Sequence, residues 1–359
     1  VVKAIPADLA EQVCSVGIDV GATERLAAVF HRSLARRAAA RLDAVQRPLV
    51  EELVRGTRRL APAAVYSLYQ EAGQDSLGQG AGNQGPGNQE AGDQRAGDQV
   101  FPSTAAGDHG SDVGADEVVG WLTGAGEVAP AAVYAGESAG GGVPLWLREG
   151  LQEVVRSLNW GEESVASVVT ELPVPVSRSV ELSRLALSRV WPAAWVEHNT
   201  LVHYLVFAEG PLRSATVQST FGVVYAEVGE ASDPLRMYEL LLHETAHHSL
   251  ALRERFTQFL KNPDAVGAHA LRPDPRPLRG VLHAAFVMCR LVEGISRYRD
   301  VYPSGGPLDG CPVEERLEFA RESLRSALAV LDGAADWTVD GRALRASMQQ
   351  CVVGEGVTS

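Results

Sequence analysis

Asp233-Pro234 opens a run of helical period that carries His243-Glu244-Thr245-Ala246-His247 at its centre, and no other segment constrains this chain as strongly. Ser232 or Asp233 supplies an N-cap and Pro234 stands at the first helical position, so the sequence predicts a helix from Pro234 to about Arg255. Two histidines four residues apart on a helix share a face, about 40° apart around the axis, so their ring nitrogens can meet on one metal ion. The glutamate beside the first histidine can reach a metal-bound water. His248 is turned by about 100° from His247 and reads as a neighbour of the site, not a ligand.

Around that helix the chain divides into three stretches. Residues 1–71 form a helical N-terminal segment, in which apolar and arginine residues alternate at helical spacing over 23–70, with Pro48 and Pro62 as breaks. Residues 72–116 carry a five-residue Gly/Gln-rich repeat, as in Ala91-Gly92-Asp93-Gln94 and Ala96-Gly97-Asp98-Gln99. Apolar bulk is nearly absent there, so the stretch reads as a flexible insertion. Residues 117–359 form the H-E-x-x-H catalytic region. Within it the expected elements are a helix over 144–158, a strand over 165–176, a helix over 180–190 and strands over 196–208 and 214–228. The motif helix follows, then a Pro- and Gly-rich loop, and helices over 278–302, 313–331 and 342–351. This order predicts an α+β fold, mostly helical, with a small antiparallel or mixed sheet and a zincin-like metal helix.

The formal net charge of −13 over 359 residues gives no broad attraction for nucleic acid or an anionic membrane. Four scattered cysteines with no C-x-x-C pair suggest reduced thiols in a cytoplasmic protein. The opening residues lack the apolar core of a signal peptide, and no apolar run is long enough to span a bilayer.

A metal held by His243 and His247 needs at least one more protein ligand. The metzincin extension is missing, because Leu250 and Arg253 stand where its glycine and third histidine would fall. The candidates on the next helix are His283 and Glu293, about 80° apart around its axis. Glu293 would complete a zinc-peptidase set of two His and one Glu; His283 would give three histidines. Arg276, Arg279, His283, Val287 and Arg290 follow at steps of three or four, and arginines on a ligand-bearing stripe suggest an anionic co-substrate. Helical side chains lean toward the N-terminus, so Arg290 leans toward His283 and Arg279 leans away. Arg290 is thus the better carboxylate clamp.

Phe221-Gly222-Val223-Val224, Leu242-His243-Glu244-Thr245-Ala246-His247-His248 and Arg276-Pro277-Leu278-Arg279-Gly280-Val281-Leu282-His283-Ala284 together resemble the H-E-x-x-H family of ribosomal-peptide modification proteins. The resemblance covers about a quarter of the chain, and the Arg-Pro-Leu-Arg-Gly-x-Leu-His stretch is its discriminating part. It implies an iron(II)- and 2-oxoglutarate-dependent peptide β-hydroxylase, with iron held by His243, His247 and His283 and Glu244 acting beside the metal. A precursor peptide would be the substrate, and the strand over 219–228 a candidate for its docking edge. The alternatives are a zinc metallopeptidase in which Glu244 activates water, and a non-catalytic peptide-binding metal scaffold.

Overall fold

Short continuous apolar runs build a sheet that is buried on both faces. In the computed structural model, residues 13–39, 132–134, 143–157, 166–217, 219–269, 272–303, 306–308 and 311–353 are described. The insertion over 72–116 and the helical pattern over 40–71 lie outside them. The architecture is α+β: mostly helical with one small mixed sheet.

In chain order the elements are α1 (Val20–Ala39), β1 (Ala132–Tyr134), α2 (Leu145–Ser157), β2 (Ser167–Val168), α3 (Val174–Val190), α4 (Pro192–Leu201), β3 (Tyr204–Glu209), β4 (Ser214–Ala215) and β5 (Val223–Glu227). A short α5 (Val228–Ala231) leads into the motif helix α6 (Pro234–Glu254), the ribbon β6 (Val266–His269) and β7 (Arg272–Pro277), and then α7 (Leu278–Val301), α8 (Val313–Ala334) and α9 (Val339–Val353).

The sheet runs β1-β3-β5-β4, with β2 also paired to β3. β3 is parallel to β1 and β5, whereas β4 pairs antiparallel with β5. Successive strand residues face opposite sides. Leu205, Phe207, Val224 and Ala226 enter the main core against the helices, and Val206, Ala208, Val223 and Tyr225 enter a second core with Trp146, Leu147 and Leu151 of α2.

α6 runs through the middle of the helical layer, buried on nearly every side against α1, α3, α4 and α7. Asp233 caps it by accepting the Arg236 N–H at 2.9 Å, with Pro234 in the first turn. α7 lies antiparallel to α6: Tyr238 near the start of α6 donates its hydroxyl to the Gly294 carbonyl, and Glu254 at the far end meets His283. Val13, Val16, Ala22, Leu26 and Ala27 belong to the same core, so the described part of the N-terminal segment packs on the motif helix. Among the described residues, no helix is long and apolar enough to cross a membrane.

Several expected elements differ from those observed. The strand expected over 165–176 is only β2; Val174 to Val176 open α3, with Pro173 at the N-cap and Pro175 in the first turn, where a missing N–H costs nothing. The strand expected over 196–208 is a helix until Leu201. Pro192 starts α4, and Glu197, His198, Thr200 and Leu201 are buried at helical spacing. The strand expected over 214–228 splits into β4 and β5, with Gly222 at a positive φ of 97° in the turn before β5. The Pro-rich loop contains the β6–β7 ribbon. Pro277 lies opposite Val266 and Arg276 opposite Gly267, and a register shift separates these pairs from His269–Arg272.

Candidate metal centre

Helix α6 sets His243 and His247 one turn apart, and their Nε2 atoms face each other at 3.1 Å. The rings meet edge-on, with centroids 4.8 Å apart. Two nitrogens bound tetrahedrally to one zinc or iron ion at roughly 2.1 Å would lie about 3.4 Å apart, so the pair is close to a ligand spacing. His247 is buried and His243 remains 18% exposed.

Glu244 lies beside this pair, with Oε1 3.9 Å from His243 Nε2 and its side chain 1% exposed. Neither carboxylate oxygen makes a hydrogen bond of ordinary geometry to a described residue. Burial pushes its pKa up, and the His243 ring and the Ser214 hydroxyl on β4 pull it back only in part. A carboxylate this deeply buried beside two converging imidazoles is an arrangement that a cation would complete. The donor set therefore fits a divalent metal on His243 and His247. As they stand, no three His, Cys, Asp or Glu side chains among the described residues are arranged to hold an ion together.

His283 comes to the site from α7 but by another route. Its Nδ1 lies 3.4 Å from Nδ1 of His247, with the rings stacked at 5.7 Å, and its Nε2 lies 3.1 Å from Oε2 of Glu254. Glu254 is also gripped by Arg279, whose Nε and terminal nitrogen donate at 3.3 and 2.7 Å. Burial alone would raise the Glu254 pKa, but His283 and Arg279 outweigh it and hold the carboxyl down at about 2. The sequence reading missed Glu254. It stands eleven residues beyond His243, a spacing that returns to the same helical face, and this was the signal that could have found it.

The remaining candidates are elsewhere. Glu293 is 42% exposed and pairs with Arg297 at 2.6 Å, a solvated helical acid. Arg276 belongs to β7, so the arginine stripe on α7 begins at Arg279. Arg290 is buried and donates to Glu197 at 3.2 Å, with both side chains 2% exposed. It lines a cavity of about 10 Å³, room for about one water, together with Trp191, Leu241, Leu242, Thr245 and Ala246. Leu241 and Thr245 are turned by about 160–200° from His243 around α6. Arg290 therefore reaches the opposite side of the helix from the His243–His247 pair, and an internal carboxylate occupies the place assigned to an anionic co-substrate.

His248 packs edge-on against Phe221 at 4.8 Å, and burial brings its pKa down to about 3. β5 lies between β3 and β4, so the strand proposed as a docking edge is internal; the edge beside Glu244 is β4.

In comparisons with known proteins, no family model matches the chain, and no curated protein matches it.

Proposed function

We propose that this chain is a metal-dependent peptide-modifying oxygenase that uses iron(II) and 2-oxoglutarate to hydroxylate a side chain of a precursor peptide. The observation that carries the reading is the pair of Nε2 atoms 3.1 Å apart beside the buried carboxylate of Glu244. The resemblance of the H-E-x-x-H and Arg-Pro-Leu-Arg-Gly-x-Leu-His stretches supports iron and an oxo acid. The position of Glu293 counts against the two-His, one-Glu peptidase set, because its carboxylate is engaged by Arg297 on an exposed face.

His243 and His247 would hold the ion. Iron with 2-oxoglutarate and O₂ supplies the oxidation chemistry when bound. The chain's own work is orientation and exclusion of water. Glu244, buried and raised in pKa, can hold a proton or orient the substrate backbone next to the ion. Arg279 is the arginine beside the histidines, where its half-buried guanidinium holds the Glu254 carboxylate next to His283. The short edge strand β4, next to Glu244, can take an extended peptide by main-chain pairing.

The test is conversion of 2-oxoglutarate to succinate and CO₂ by the iron-loaded chain under O₂. The reading expects turnover that stops in Glu244→Gln and His247→Ala. Zinc-dependent peptide cleavage without succinate formation would replace it with the peptidase reading, and peptide binding without either reaction would favour a scaffold.

A further inference from the structure

Four side chains form one continuous chain of polar contacts across α6 and α7. His243 Nε2 meets His247 Nε2 at 3.1 Å, His247 Nδ1 meets His283 Nδ1 at 3.4 Å, and His283 Nε2 meets Glu254 Oε2 at 3.1 Å. Arg279 closes the chain on Glu254. A carboxylate forked by a guanidinium only accepts, so the proton between His283 and Glu254 sits on His283 Nε2. The other ring nitrogen of His283, Nδ1, meets His247 at Nδ1, while the Nε2 of His247 is the atom that faces His243.

We propose that His283 is a positioning residue that links His247 to Glu254 and holds the His247 ring with Nε2 toward the metal, and that it is not itself a ligand. The inference rests on the metal reading of the His243–His247 pair. It differs from the three-histidine set, because the atom of His283 that faces His247 approaches the nitrogen turned away from His243. Metal-binding histidines commonly donate their second N–H to a carboxylate or carbonyl that sets ring orientation. Here that carboxylate is one histidine further out, and the arginine beside it holds the carboxylate in its ionised form. The chain spans both long helices, so the ligand geometry of α6 depends on the seating of α7.

Two measurements on the full chain test it. Nitrogen-15 NMR of the histidine rings in the metal-free protein should show His247 Nδ1 and both nitrogens of His283 engaged in hydrogen bonds; a His247 Nδ1 with no hydrogen bond to His283 overturns the proposal. In cobalt(II) titrations the wild-type chain should take up one ion. His283→Gln should keep the wild-type cobalt absorption spectrum while affinity drops about 10–100-fold. Glu254→Ala should lose a similar factor, and Glu254→Gln, which keeps an acceptor oxygen, should lose less. A changed cobalt spectrum in His283→Gln, with Glu254→Ala unaffected, makes His283 a ligand and overturns the proposal. The expected hydrogen bonds without any cobalt uptake would leave the His247–His283–Glu254 link standing and overturn the metal function instead.

Discussion

Among single residues, Arg290 shows best how a pattern read from sequence is resolved by a partner. Its spacing from His283 suggested a clamp, but the guanidinium belongs to a buried pair with Glu197, which also accepts from Ser249 at 2.9 Å. Nothing in the sequence marks Glu197 as that partner, because it lies 93 residues away on α4. Arg290→Met removes the guanidinium and leaves the buried Glu197 carboxylate bonded to the Ser249 hydroxyl among the described residues. It should cost about 3–5 kcal/mol in denaturant unfolding while the metal affinity of the folded chain is unchanged. Unchanged stability with lost 2-oxoglutarate affinity would restore the clamp. His198 behaves differently. Burial, with Arg184 and His248 nearby, lowers its pKa from 6.5 to about 3, and its Nδ1 is bonded to Thr245 at 2.8 Å. The unfolded chain takes up this proton below about 6.5 and the folded chain does not. The contribution of His198 is therefore full above pH 6.5 and is lost as the pH falls toward 3. Unfolding measured at pH 7.5 and pH 4.5 should show a smaller acid loss in His198→Gln than in the wild type.

At the level of elements, the motif helix was the best read. Its start at Pro234 and its end at Glu254 fall where the cap and the apolar period put them, and α7 and α8 also begin where expected. Asp233→Ala removes the cap and should lower stability by about 0.5–2 kcal/mol in thermal or denaturant unfolding. The strands were read less well, because β-branched residues such as Val174, Val196 and Thr200 lie at helical positions set by Pro175 and Pro192. The alternating prolines of β7 hid a ribbon inside an apparent loop. The seating of α9 was not readable at all. A Cβ on Gly341 would run into the backbone carbonyl of Phe259, which no side-chain rotation relieves. Gly341→Ala should therefore destabilise the chain by about 1–3 kcal/mol, read as a lower unfolding midpoint.

Over the whole molecule, the sheet supplies position and the helices supply chemistry. β5 delivers the chain into α6 through the short α5, and β4 sets Ser214 near Glu244 on the side where His243 is partly exposed. The N-terminal residues hold the back of α6, where Arg253 donates to the carbonyls of Ser15 and Gly17, and Val16 N–H reaches Ser347 on α9. Such long-range ties follow from the fold alone, whereas the His243–His247 pair is local and was readable from its spacing. His283 lies between these cases: the sequence placed it near the pair, and only the packing of α7 shows which of its nitrogens faces which neighbour. The central claim, a metal on His243 and His247 with an oxo acid beside it, is tested most directly by anaerobic iron(II) titration followed by 2-oxoglutarate. The account predicts one iron per chain and a weak metal-to-ligand charge-transfer band on adding 2-oxoglutarate, both lost in His243→Ala and His247→Ala. A wild-type chain that binds no iron, or binds it with no such band, contradicts it.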